Sequence, residues 1–334
     1  MFLLQPPSVP TSCRVYDNVL SPSTCTYLHA ASSLGELGNE FHTAFSPTEP
    51  QTAIERCLTS VLAQLNDDSP CVEYWWRDEW THVEAHEDVD EYLFADTGER
   101  RYPKNGHVLY LEVGESIRAP TCVWEPSDDA TPRHEFGALT TVPALSGRLL
   151  RFPGACMHAV PKPASRWLPV EHRGGPSPAA QKKRPGSSSG GKKDTIRSVI
   201  LFNTWSEPPL DVGAAEAKDP QKVIEALAAE FNSPKIEALV NVMANPEVLC
   251  RPYDDWVTVP PQQPAPRRRD LQLAETGTWI EQVHDEEDVT PPPMTVALLG
   301  EEERRGQPET TLELEAPDGL LEALLEQSAV TSFA

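Results

Sequence analysis

Two imidazoles and one carboxylate are the side chains of this sequence whose types and spacing suit metal chemistry. His86-x-Asp88 supplies one pair, and His158 closes the run Gly147-Arg148-Leu-Leu-Arg-Phe152-Pro153-Gly154-Ala-Cys-Met-His158. Such a donor set suits a divalent non-haem iron, because it takes roughly half of the coordination positions and leaves the rest to dioxygen and a further ligand. In an extended strand residues i and i+2 face the same side, so His86 and Asp88 can address one ion without an unusual backbone. His82, Glu84, His86 and Asp88 alternate along the same segment, and on spacing alone His82-x-Glu84 is an equal candidate.

The flanking sequence has to hold these groups in place. Residues 13–20 read as a short strand, and Ser21-Pro22 then offers an N-cap with proline at the first helical position, so a helix is expected through about residue 33. Ile54, Leu58, Val61, Leu62 and Leu65 stack on one face of a second helix. Between residues 72 and 205 the texture changes to short β-rich runs at 107–113, 121–124, 148–152 and 197–205, separated by Gly, Pro and Asp. Many short strands at this spacing suggest a sandwich or jelly roll. Residues 174–193, rich in Gly, Ser and Lys, cannot bury a core and read as an inserted surface loop. Beyond residue 205, apolar spacing predicts helices over 222–231 and 234–243, then a proline-rich linker over 259–266. Strands at 294–299 and near 310–314 and a Leu-rich helix from 318 to about 327 complete an acidic accessory region.

The chain has 334 residues, and its 34 prolines indicate many extended or irregular stretches. A net charge of −23 repels polyanions, so general nucleic-acid binding is not expected. Seven cysteines without C-x-x-C spacing favour neither a disulfide framework nor a zinc knuckle, and a reducing, intracellular compartment is expected. The opening Met1-Phe-Leu-Leu lacks a basic n-region, and no run reaches the roughly 20 apolar residues of a membrane span. The expectation is a soluble cytoplasmic or nuclear protein, with organelle targeting left open. Lys182-Lys183-Arg184 and Lys192-Lys193 read either as an import signal or as a solvated basic loop. No G-x-S-x-G accompanies a Ser-His-Asp set, and no Gly-rich loop reads as a phosphate cradle.

Several motifs in a fixed order carry a resemblance. Glu-Ala-His86-Glu-Asp88-Val-Asp-Glu comes first, then Leu109-Tyr110-Leu111 before Ala119-Pro120-Thr121-Cys-Val. Gly147-Arg-Leu-Leu-Arg-Phe-Pro-Gly154 follows before His158-Ala-Val-Pro161, and Arg197-Ser-Val-Ile-Leu-Phe-Asn comes last. Together they resemble the 2-oxoglutarate and Fe(II)-dependent dioxygenase superfamily, within it the prolyl 4-hydroxylase-like branch, over roughly residues 12–206. Arg14-Val-Tyr-Asp-Asn-Val-Leu-Ser-Pro-Ser-Thr-Cys25 is similar to the segment that opens such domains.

The resemblance implies an α+β chain with a mainly β core, a double-stranded β-helix of the cupin-like jelly-roll type buttressed by N-terminal helices. It implies iron held by His86, Asp88 and His158, which selects His86-x-Asp88 over His82-x-Glu84. The cosubstrates would be 2-oxoglutarate and dioxygen. The distal carboxylate of 2-oxoglutarate would need a cation, for which Arg197 is the candidate because it opens a strand and can grip a carboxylate with two N–H groups. Arg166 is the rival, closer to His158 and nearer the family's usual interval; the inserted loop accounts for the longer distance to Arg197. Tyr110 and Thr121 stand where the resemblance suggests hydroxyl hydrogen bonds to the cosubstrate. Trp75, Trp76 and Trp80 could line the site or pack in the core. His107, His134, His172 and His284 belong to no constellation.

The expected organisation is therefore a dioxygenase-like domain over 12–206 with the inserted loop at 171–195. A helical extension over 207–258 follows, then a linker and acidic accessory region over 259–334, the two making up a C-terminal α/β extension. The expected activity is hydroxylation of a substrate C–H bond, the substrate being a protein prolyl or other side chain by family analogy. The alternatives are a catalytically inactive β-barrel interaction protein and a cupin-like metal protein that does not use 2-oxoglutarate.

Overall fold

The computed structural model describes residues 12–33, 42–81, 83–114, 119–126, 136–160, 196–210, 212–214, 247–253, 257–259, 268–274, 278–284, 294–297, 313–316 and 330–333. The Arg166 segment, the inserted loop and the expected helices over 222–231, 234–243 and 318–327 lie outside these residues. Strand β1 (Arg14–Asp17) leads to helix α1 (Pro22–Ser33), where the Ser21 hydroxyl accepts a hydrogen bond from the Thr24 backbone N–H at 3.1 Å. After β2 (Thr43–Phe45), helix α2 (Ala53–Gln64) starts on a capping box: Thr52 Oγ1 accepts from the Glu55 N–H at 3.1 Å and the Glu55 carboxylate accepts from the Thr52 N–H at 3.0 Å.

Next come β3 (Cys71–Glu79), β4 (Val83–His86), the short helix α3 (Glu91–Thr97) and β5 (Asn105–Val113). Strands β6 (Thr121–Pro126), β7 (Phe136–Val142), β8 (Leu149–Pro153), β9 (Met157–Val160) and β10 (Ile196–Trp205) follow. The remaining described strands are β11 (Arg251–Pro252), β12 (Val257–Val259), β13 (Arg268–Ala274), β14 (Thr278–His284), β15 (Met294–Ala297), β16 (Glu313–Ala316) and β17 (Thr331–Phe333). The fold is thus mainly β with few helices and mostly antiparallel sheets.

A seven-stranded sheet runs β11-β1-β8-β5-β10-β3-β2, and a six-stranded sheet runs β12-β17-β7-β6-β9-β4. β11 and β17 come from segments that sequence patterning assigns to the C-terminal extension, yet they pair with β1 and β7. The hairpin β13–β14 lies in the segment expected as linker and acidic accessory region; it follows the alternation Asp270-Leu271-Gln272-Leu273 that a strand requires.

Alternation along the central strands divides the core in two. Val72, Tyr74, Leu109, Leu111, Ile200 and Phe202 point to α1 and α2, where Leu28, Leu58, Val61 and Leu62 cover them. Val108, Tyr110, Leu150, Phe152 and Val199 point to the second sheet and meet Val123, Val142 and Val160. The candidate site residues lie on the side of this second layer, between the sheets.

Asp67, in the turn after α2, shows how the scaffold tolerates a buried charge. Its side chain is fully covered, and it accepts from Arg151 Nη2 at 2.8 Å, Asn105 Nδ2 at 3.1 Å and the Ser69 N–H at 3.1 Å. Burial alone would raise its pKa, but the Ser69 hydrogen bonds and the charges of Arg151 and Lys104 bring it below the usual carboxylate value. A carboxyl depressed in the folded state stabilises above its unfolded pKa of about 3.9, and that stability is lost as pH falls through the folded value. Asp67→Asn should therefore cost about 2–3 kcal/mol at pH 7 in urea unfolding, a difference that shrinks in acid. A constant difference from pH 7 to pH 3 would show that the ionised carboxylate is not what stabilises this turn.

Candidate metal centre

Strand register assembles the candidate centre from distant sequence. β4 and β9 are antiparallel neighbours with His86 directly opposite His158, and β6 places Val123 on the other side of His158. Directly opposed residues share a face, so the two imidazoles lie side by side, His158 buried and the His86 side chain 42% exposed, with ring centroids 4.3 Å apart. Asp88 lies just past the end of β4. His86 Nε2 is 3.5 Å from Asp88 Oδ1 and His158 Nε2 is 3.7 Å from Asp88 Oδ2. One donor atom from each of the three side chains lies within 4.8 Å of the others.

The proton inventory favours a cation among them. His158 Nδ1 is 3.2 Å from the Cys156 carbonyl, which can only accept, so Nδ1 carries the hydrogen and Nε2 of the neutral ring presents a lone pair toward Asp88. Burial also pushes the His158 pKa down, against the pull of the Asp88 charge. Asp88 goes the other way: burial would raise its pKa, but the charge that His158 and His86 carry once protonated in acid, with the hydrogen bonds from His86 and Asn203, holds it well below the ordinary carboxylate range. A lone pair facing an ionised carboxylate is a repulsive arrangement that a divalent cation resolves, and the N, N, O donor set fits iron. The alternative pair falls outside the described side chains, since His82 and the Glu84 side chain are not among them.

Asn203 is a residue that motif reading missed. Its Nδ2 donates to Asp88 Oδ2 at 3.1 Å and orients the carboxylate. The signal was present in the period of β10, because Arg197, Val199, Leu201 and Asn203 share a face, and an amide on an interior face requires a partner. Phe152 packs at 4.9 Å from the His158 ring, in space left by Gly106, where a Cβ would come within 2.7 Å of the Phe152 ring.

The three residues singled out for the cosubstrate also converge. Arg197 is 2% exposed; its Nε donates to the Ala119 carbonyl at 3.0 Å and its Nη2 to Thr121 Oγ1 at 2.9 Å. The Tyr110 hydroxyl lies 2.7 Å from the same Thr121 oxygen, and the guanidinium carbon stands 5.3 Å from the Tyr110 ring centroid. Ala119 holds its carbonyl there with a left-handed φ of 36°, a backbone geometry a β-carbon disfavours. Among the described residues no carboxylate pairs with Arg197, and burial works against its charge.

The tryptophans divide by face. Trp75 faces the interior and stacks on His42 at 4.3 Å, while His42 Nδ1 is 2.6 Å from Glu73. Trp76 lies on the helix side with Nε1 donating to Ser198 at 3.3 Å, and Trp80 is buried in the core between the sheets. His107 is structural: it stacks on Phe202 at 4.2 Å, Nδ1 donates to the Phe202 carbonyl at 3.1 Å, and burial lowers its pKa to about 3. His134 and His172 lie outside the described residues, as does the His284 side chain.

No protein-family model matches the chain, and no curated protein does. Solved structures similar to it include a prolyl-4-hydroxylase from Pseudomonas putida, at 12% identity and a TM-score of 0.34, covering 60% of this chain and 90% of that one. A viral collagen prolyl hydroxylase from Paramecium Bursaria Chlorella virus-1 covers 61% of this chain and 96% of its own, at 15% identity and a TM-score of 0.31. HygX from Streptomyces hygroscopicus, solved with nickel and 2-oxoglutarate bound, covers 63% of this chain and 93% of its own, at 13% identity and a TM-score of 0.31.

Thr121 links Arg197 to Tyr110, so Thr121→Val, which keeps the shape and removes the hydroxyl, leaves two buried polar groups short of a partner. Urea unfolding should show a loss of about 1–3 kcal/mol. A variant as stable as the parent would mean that both groups find other partners.

Proposed function

We propose that this chain is an Fe(II)- and 2-oxoglutarate-dependent oxygenase of the hydroxylase type, with His86, Asp88 and His158 holding iron and Arg197 receiving the distal carboxylate of 2-oxoglutarate. One observation carries the reading: between the same two sheets stand a His-Asp-His cluster that favours a cation and a buried guanidinium that pairs with no carboxylate among the described residues. Thr121, which bonds Arg197, is two residues from Val123, the partner of His158, and two residues along a strand span about 7 Å.

Bound iron would supply dioxygen activation, with electrons from the 2-oxo acid, so that 2-oxoglutarate, dioxygen and a substrate C–H bond become succinate, carbon dioxide and an alcohol. The chain's own residues bind and orient. Asn203 fixes the Asp88 carboxylate, the Cys156 carbonyl fixes the His158 tautomer, and Tyr110 and Thr121 aim Arg197. Val108, Val123, Val199 and Phe152 pack the buried side of this layer, while His86 stays open to solvent. Among the described residues no helix is long and apolar enough to cross a membrane.

Anaerobic titration of the purified chain with Fe(II) and then 2-oxoglutarate should develop a weak visible charge-transfer band that His158→Ala abolishes. Asn203→Ala should keep the fold and weaken Fe(II) binding by about tenfold to a hundredfold. Iron binding without the band would favour a metal protein that does not use 2-oxoglutarate. No iron binding would favour the interaction-protein reading.

A further inference from the structure

Arg77 is a second cation of the interior, and the sequence motifs do not single it out. On β3 it faces Val199 of β10, which faces Tyr110 of β5. Directly opposed residues share a face, so Arg77, Val199 and Tyr110 form one row pointing between the sheets. The adjacent rows agree: Trp75, Leu201 and Val108 lie on the interior side, whereas Trp76, Ile200 and Leu109 belong to the helix-facing core. Arg77 and Tyr110 are separated by two strand spacings, roughly 10 Å, across the small Val199 side chain.

No hydrogen bond or ion pair engages the half-buried Arg77 among the described residues. Glu73, the acid on its own face, is taken by His42 and by Trp205 Nε1 at 3.0 Å. Burial works against the Arg77 charge, which Asp88 partly favours. Among the described residues, two guanidinium groups with no hydrogen-bonded or ion-paired carboxylate therefore face one interior, whose Asp88 is held by the histidines and Asn203. A dianion would balance them.

We propose that Arg77 is a second anion anchor, which engages the 2-oxo acid end of 2-oxoglutarate while Arg197 engages the distal carboxylate. This inference rests on the proposed use of 2-oxoglutarate. Two carboxylates then meet two guanidinium groups, and Arg77 acts by positioning the 2-oxo acid near Asp88.

The test is calorimetric binding of 2-oxoglutarate and of 2-oxobutyrate, which lacks the distal carboxylate, to the Mn(II)-loaded full chain. Arg77→Gln should weaken both ligands by about tenfold or more, and Arg77→Lys, which keeps the charge but loses the fork, should be intermediate. Arg197→Gln should weaken 2-oxoglutarate alone. Unchanged binding of both ligands to Arg77→Gln would overturn the proposal, as would loss confined to 2-oxoglutarate, which would assign Arg77 to the distal end. Should Arg77→Gln not fold, Arg77→Lys with parental affinities for both ligands overturns it equally. Failure of the parent chain to bind 2-oxoglutarate would remove the cosubstrate reading itself, an outcome distinct from normal parental binding that is insensitive to Arg77.

Discussion

Strand β10 carries the constraint on which the site depends. Held between β3 and β5, it sends Ser198, Ile200 and Phe202 to the helices, and Arg197, Val199, Leu201 and Asn203 to the space between the sheets. A slip of one residue would exchange the two sets, exposing Arg197 and Asn203 to an apolar helix layer and placing Phe202 against Asp88. Both faces are packed, so that slip is strongly opposed. The same register that builds the core therefore positions the groups that orient Asp88 and would receive an anion.

The interior contrasts two ways of burying charge. Asp67 is fully covered but surrounded by donors from Arg151, Asn105 and Ser69, so its charge supports the fold. Arg197 is equally covered but among the described residues donates to neutral oxygens alone, and the triad sets a lone pair of His158 toward Asp88. Both arrangements cost stability until something binds. Ala119, with its left-handed backbone, adds a further local cost beside Arg197. Unfavourable electrostatics gathered between the same two sheets marks a candidate binding site.

Much of the scaffold was legible in the chain. Ser21-Pro22 and the Thr52–Glu55 box mark helix starts by local hydrogen bonding, which needs no tertiary context. The strands at residues 105–113 and 196–205 were visible as β-rich runs between turn residues. Less legible were α3, the β13–β14 hairpin and the short strands β11 and β17, because edge pairing depends on which partner lies alongside.

For the site, the sequence by itself supplied the residue types: the H-x-D pair, a later histidine, and the Tyr110, Thr121 and Arg197 candidates. Chemical identity and i, i+2 geometry are local properties, but they left His82-x-Glu84 open; the choice of His86-x-Asp88 and the roles of Tyr110, Thr121 and Arg197 followed from the ordered motifs that carry the resemblance. Only the tertiary structure decided that His86 stands opposite His158, that Thr121 bridges Arg197 and Tyr110, and which tryptophan faces the interior. The roles of Asn203 and Arg77 likewise rest on rows that cross strands far apart in sequence. Cross-strand register is a non-local quantity, set by the packing of two sheets and two helices together, and no single segment of the chain contains it.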